Sequence, residues 1–195
     1  NRFHRFLPEK ADSLSISGNQ VRALIPVSEN ELWVGTGKGL SVFNPKTGSF
    51  TDLGTDPVLK PLTETGILSM ARDNSLIWIG TVNGLYAYDQ ERKTLLYYQS
   101  KSDDNQTLPD NQVTSILVDR NRNIWAGTEN GLAMMKAGSN SFSRISELAS
   151  SGFQVSDNSI KALLEDDRGY IWVGTFGDGL YILNRESGKF VSMKH

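Results

Sequence analysis

Apolar residues along this chain gather in short runs bounded by turn-forming residues, and nowhere do they keep the spacing of an amphipathic helix. The runs come in sets of four. The first of each set is VRALIPV (21–27), ILSMARD (67–73), VTSILVD (113–119) and IKALLED (160–166). The second lies at 31–36, 76–81, 123–128 and 170–175. The third begins at a Gly-Leu pair and continues through SVF, YAY, AMM and YIL; the fourth is SFTDL, TLLYYQ, SFSRIS and KFVSM. Their β-branched and aromatic content predicts strands. Stretches such as Ala23-Leu24-Ile25 and Ile116-Leu117-Val118 are apolar without alternation, as expected of a sheet covered on both faces.

The sets are copies of one unit. Trp33, Trp78, Trp125 and Trp172 stand 45, 47 and 47 residues apart, each inside an apolar-Trp-x-Gly-Thr phrase closed by Gly-Leu. Self-similarity at this period, with four short strands per copy, predicts β-propeller blades of four antiparallel strands. In that architecture the first strand of each blade lines a central channel. The indole wedges between neighbouring blades, and the glycine two residues on (Gly35, Gly80, Gly127, Gly174) allows close backbone approach. These residues recur in every copy, so they are read as packing rather than chemistry.

The connections carry turn chemistry. Lys38-Gly39, Asn83-Gly84, Asn130-Gly131 and Asp178-Gly179 suit the hairpins between second and third strands. NPKTG (44–48) and NRESG (184–188) suit those between third and fourth. Ahead of each first strand stand Ile16, Leu62, Leu108 and Val155, followed by Asn19, Thr65, Asn111 and Asn158, whose side chains are expected to bond local backbone. Asp73, Asp119 and Asp166 recur after the first strand and are read as turn-setting rather than as glycosidase carboxylates.

The opening RFHRFL (2–7) resembles a further fourth strand, giving five outer strands for four inner triplets. The expected layout is one partial propeller over 1–195. An outer strand and link of a preceding blade occupy 1–17, and blades follow at 18–53, 63–99, 109–146 and 156–195. An arc of this kind is expected to pair with further blades or with another copy of the chain.

Composition narrows the chemistry. The formal charge is −2 with no cluster of Lys and Arg, which argues against nucleic acid. There is no cysteine, and the two histidines, His4 and His195, lie at opposite ends. A histidine-rich metal site or a Ser-His-Asp triad therefore has almost no material, no cofactor is expected, and no catalytic residue is assigned.

LPDNQVTSILVDRNRNIWAGTENGL (108–132) and VSDNSIKALLEDDRGYIWVGTFGDGL (155–180) resemble the two-component regulator propeller repeat, and all four units carry the phrase. The resemblance implies the periplasmic input region of a bacterial, often hybrid, sensor histidine kinase that recognises an oligosaccharide or similar cue. In such proteins the membrane and kinase segments are separate domains, and no nucleotide-binding loop is present in this chain. The second unit departs from the pattern at Thr65-Gly66-Ile67 and lacks the long aspartate-led turn, and the fourth inserts one residue before Gly179.

Residues that vary between copies are free to specify a ligand. They fall on the rim formed by the links between blades and the hairpins after the tryptophan strands. Lys38, Asn83, Glu129, Asn130, Phe176 and Asp178 are the candidates there, and Arg22, Thr114 and Lys161 begin inner strands near the channel mouth. Such a rim could meet sugar hydroxyls and stack on a ring. Two alternatives remain: an architectural or protein-binding propeller used for dimerisation, and a glycan-active enzyme, which would need two facing carboxylates that do not repeat.

Overall fold

The computed structural model describes residues 3–9, 12–145, 159–184 and 189–193. They form four antiparallel sheets of four strands, each a meander in chain order. The first sheet comprises β1 (Val21–Ser28), β2 (Glu31–Thr36), β3 (Leu40–Asn44) and β4 (Ser49–Thr51). The second comprises β5 (Ile67–Asp73), β6 (Leu76–Thr81), β7 (Gly84–Asp89) and β8 (Thr94–Tyr98). The third has β9 (Val113–Val118), β10 (Ile124–Thr128), β11 (Gly131–Met135) and a two-residue β12 (Ser143–Arg144). The fourth has β13 (Ile160–Glu165), β14 (Ile171–Thr175), β15 (Leu180–Asn184) and β16 (Lys189–Met193). The inner strands β1, β5, β9 and β13 pack in succession, which places them around a common axis. Among the described residues, the first and fourth sheets make no substantial contact, so the blades form an open arc.

The seams between blades explain the repeated phrase. Trp33 packs with Ile67, Ile77 and Ile79 of the second blade, Trp78 with Ile124 and Ala126 of the third, and Trp125 with Ile160, Ile171 and Val173 of the fourth. These three indoles are almost wholly buried, whereas Trp172, on the last blade, is only partly so. The glycine follows the same logic. A Cβ on Gly35 would lie 2.6 Å from Cγ2 of Ile67, one on Gly80 2.5 Å from the carbonyl oxygen of Val113, and one on Gly127 2.6 Å from Cγ2 of Ile160. On Gly174 it would meet nothing nearer than Ala162, at 3.5 Å. The first residue of each inner strand is thus a knob seated on the preceding blade's glycine. Ile67, Val113 and Ile160 are fully buried, while Val21, which meets no preceding blade among the described residues, is 46% exposed.

Three of the four indole N–H groups are held at the opposite end of the strands. Trp33 donates to Glu31 at 2.6 Å, Trp125 to Asp119 at 2.9 Å and Trp172 to Asp166 at 3.1 Å. Asp119 and Asp166 also accept backbone N–H bonds within their turns, so they set the turn as expected and fix the indole as well. Burial pushes the Asp166 carboxyl up, but the indole and the turn amides outweigh it and hold the group below its ordinary value.

Several expectations are corrected. Residues 3–9 join no ladder. The blade whose outer strand this segment is expected to form is not among the four described sheets, and here Phe6 packs on Phe43 and Phe50. Thr65 does not bond local backbone; its hydroxyl is buried without a partner among the described residues. Asn111 accepts from the N–H of Ser100 at 2.8 Å, tying the link back to the end of the preceding strand. Asp73 does not cap its own turn but pairs with Arg122 of the next blade. A short helix, α1 (Lys60–Thr63), appears in the link before the second blade, with Pro61 in its first turn and Leu62 fully buried. Val155, Asn158, residues 185–188 and His195 lie outside the described residues.

Because the knob-on-glycine contact is made at three seams and not at the fourth glycine, Gly35→Ala, Gly80→Ala and Gly127→Ala are each expected to destabilise the fold by about 1–3 kcal/mol through overpacking. Gly174→Ala should be neutral or slightly stabilising. Urea unfolding of the four variants checks this, and equal losses at all four positions would contradict it.

Candidate functional site

The upper rim, where the links meet the hairpins after β2, β6, β10 and β14, is built by two repeated devices. A threonine hydroxyl staples each hairpin: Thr36 donates to the carbonyl of Gly39, Thr81 to Gly84, Thr128 to Gly131 and Thr175 to Gly179, at 2.8 to 3.0 Å. Gly84, Gly131 and Gly179 adopt positive φ there (139°, 113° and 77°), the conformation the turn needs from glycine. A backbone bond then ties each hairpin to the end of its own link, from the N–H of Gly37, Val82, Glu129 and Phe176 to the carbonyls of Gln20, Gly66, Gln112 and Ser159. The tips are fixed by main chain and by a repeated hydroxyl, so the conformation of each hairpin does not depend on the side chains that vary between copies.

The second device is a β-bulge at the start of each inner strand. The register skips one residue between Val21 and Ala23, Ile67 and Ser69, Val113 and Ser115, and Ile160 and Ala162. The skipped residues are Arg22, Leu68, Thr114 and Lys161. A bulged residue is lost from the ladder and its side chain is re-aimed. Three of these four were candidates from the sequence as strand starts; the bulge that presents them was not foreseen.

Three predicted residues come together through this geometry. The ammonium of Lys161 lies 2.6 Å from a carboxylate oxygen of Glu129 on the third blade and 5.6 Å above the ring of Phe176 on its own blade. The Phe176 ring is 76% exposed. The hydrogen bond from Lys161 is the largest influence holding the Glu129 carboxyl below its ordinary value. A cation, a carboxylate and an open ring face therefore sit together on the rim between the third and fourth blades. The remaining candidates are dispersed. Thr114 donates to the carbonyls of Ile160 and Gly127, which makes it part of the seam. Asp178 accepts from the hydroxyl of Tyr181 within its own blade. Among the described residues Arg22 reaches only Gln20, at 3.3 Å. Asn83 accepts from Tyr97 through its backbone carbonyl, and Asn130 is exposed. Lys38 lines a separate open cleft of about 590 Å³ beside the first blade, with Glu9, Asp12 and Asp52.

The lower rim is a second polar zone that sequence reasoning passed over. Arg72 donates to the carbonyls of Pro26 and Val27, and Arg120 binds Glu165 and the carbonyls of Asp166 and Asp167. These arginines are not at one repeated position, so only contacts across the seams could reveal them. Among the described residues no group of three or more His, Asp or Glu side chains stands in metal-binding geometry.

The two-component regulator propeller model matches residues 107–130 and 154–177. Among solved structures, the chain resembles the extracellular domain of BT3049 from B. thetaiotaomicron, assigned to a hybrid two component system. The TM-score is 0.75 at 22% identity, over 98% of this chain and 27% of that one. The extracellular domain of BT4673 from the same organism, with the same assignment, gives 0.76 at 24% identity over 94% of this chain and 24% of that one. The computationally designed protein Ika4 gives 0.53 at 16% identity, over 89% of this chain and 98% of the design. At these identities the likeness is one of fold, and the chain spans about a quarter of the length of the two B. thetaiotaomicron domains. No curated protein matches it.

Glu129 yields a pH prediction. Its folded pKa lies below the unfolded value, so the pair's contribution is complete above the unfolded carboxyl pKa of about 4.3 and is lost as pH falls through the folded one. The side chains are 43% and 37% exposed, which limits that contribution to about 0.2–1 kcal/mol. Glu129→Gln should lower stability by this amount at neutral pH and by nothing once the wild-type carboxyl is protonated. Urea midpoints of both proteins across the acidic range measure it, and a gap that persists at the acid end would mean the pair is not its cause.

Proposed function

We propose that this chain, which carries two-component regulator propeller repeats, is an extracytoplasmic ligand-recognition segment of a bacterial two-component sensor. It takes an oligosaccharide or a similar polyhydroxylated cue at its upper rim and passes the signal on through further domains of the sensor. The observation that carries the site is the cluster of Lys161, Glu129 and Phe176. Lys161 offers N–H donors and Glu129 acceptor oxygens to sugar hydroxyls, and the exposed ring offers a face to the C–H side of a pyranose. The fold likeness to extracellular sensor domains supports the location. Among the described residues no helix is long and apolar enough to cross a membrane. No catalytic step is part of this role.

Calorimetric titration with a panel of neutral oligosaccharides tests it. Lys161→Ala and Phe176→Ala are each expected to weaken binding of the active sugar tenfold or more, about 1.4 kcal/mol. Unchanged affinity in both variants would remove the site from this rim.

A specific observation also favours a protein-binding role. The exposed Val21 knob at one end of the arc and the uncovered Gly174 and Trp172 at the other are the two halves of a blade seam. They can be satisfied by further blades or by a second copy joined head to tail. Sedimentation of the isolated chain should reveal self-association that Val21→Asp reduces; a monomeric wild type at high concentration would rule the second copy out.

A further inference from the structure

A cleft of about 580 Å³ opens at the lower rim between the second and third blades, on the side opposite the rim cluster. Its volume is that of a small-molecule site. One polar group beside it is unsatisfied. Trp78 lines the cleft and is 4% exposed, and its indole N–H has no acceptor among the described residues. The other three indoles each donate to a carboxylate of their own first hairpin. In the second blade that hairpin is short, running from Asp73 to Leu76 through Asn74 at φ 54°. Its carboxylate, Asp73, is instead held by Arg122 of the third blade in a two-pronged pair of 2.9 and 3.0 Å. Arg122 itself sits at φ 63°, a backbone conformation unusual for arginine. The cleft also brings Arg92 and Lys136 to its edge. Arg92 is paired with Asp89, while Lys136 has no carboxylate within ion-pair distance among the described residues. Three cations therefore face two carboxylates, both already bonded, and an apolar wall that includes Leu96 and Tyr98 lies beside them.

We propose that this cleft binds a small organic carboxylate carried on a ring, which replaces Asp73 on Arg122. The guanidinium keeps a two-pronged carboxylate partner, so the exchange conserves that interaction. The released Asp73 carboxylate turns to the indole N–H of Trp78 and completes in the second blade the bond made in the other three. Lys136 adds the charge that makes an anion preferred over a neutral ring, and the Leu96 and Tyr98 wall takes the ring. Asp73 is then a switch between an arginine of the next blade and a tryptophan of its own, so occupancy of the cleft loosens one tie between blades and tightens one within a blade.

Galacturonate, with galactose as its neutral counterpart at fixed ionic strength, tests this on the whole chain through the indole ¹⁵N–¹H resonances. Galacturonate should shift the Trp78 indole signal downfield with saturation, and galactose should not. Arg122→Gln should abolish the response and Lys136→Ala should weaken binding severalfold. Asp73→Ala should retain binding by calorimetry while its Trp78 signal no longer takes the downfield shift. If Arg122→Gln fails to fold, the Lys136→Ala and Asp73→Ala results decide alone. No saturable shift in the wild type, an equal shift with galactose, or an undiminished response in Arg122→Gln or Lys136→Ala would overturn the proposal. The rim site is read separately, because Lys161→Ala leaves this cleft intact.

Discussion

One contact organises the whole arc: the first side chain of each inner strand pressed onto the glycine of the preceding blade's tryptophan strand. A blade by itself is a small sheet with two apolar faces, too little to be stable alone. Seating Ile67 on Gly35, Val113 on Gly80 and Ile160 on Gly127 draws neighbouring inner strands together and closes the space in which Trp33, Trp78 and Trp125 are buried. The tryptophan fills the seam because the glycine lets it close. Where the knob is missing, at Gly174, the indole of Trp172 is left partly open.

The polar groups of each blade divide between its two ends. At the lower end the first hairpin supplies a carboxylate for the indole in three of the blades, and arginines cross the seams to carbonyls and carboxylates of neighbouring blades. At the upper end the threonine staple and the link-to-hairpin bond satisfy the backbone locally. Blade-to-blade polar ties are thus concentrated below. Above, among the described residues, they are few: the Lys161–Glu129 pair and the hydroxyls of Ser69 and Thr114, which donate to the carbonyls of Val113 and Ile160.

The fold was legible in the sequence because its information repeats. Four copies of a Trp-x-Gly-Thr phrase closed by Gly-Leu, the fourth one residue longer, state the strand order and the hairpins four times over, and the structure agrees on the strand order in every blade and on the seam glycine in three. What occurs once was less legible. RFHRFL has the pattern of an outer strand, yet residues 3–9 join none of the four sheets. Asp73 occupies the place of a turn-setting aspartate, yet a turn too short to fold over Trp78 and an arginine 49 residues away redirect it. The rim residues were identified by their variation. That Lys161, Glu129 and Phe176 meet, while Asp178 turns to Tyr181 and Thr114 to the seam, depends on registration between blades that no single repeat encodes.

The bulge at the head of each inner strand has a consequence for how such a protein changes over generations. Arg22, Leu68, Thr114 and Lys161 stand outside the hydrogen-bonded ladder, one per blade, at the same height around the channel mouth. Arg22 and Lys161 can therefore be exchanged without disturbing strand pairing, whereas every neighbouring position in the ladder is constrained by two strands. Mutation can rewrite the chemistry of the mouth one letter per blade, and gene duplication of a blade adds a letter to an alphabet the scaffold already knows how to display.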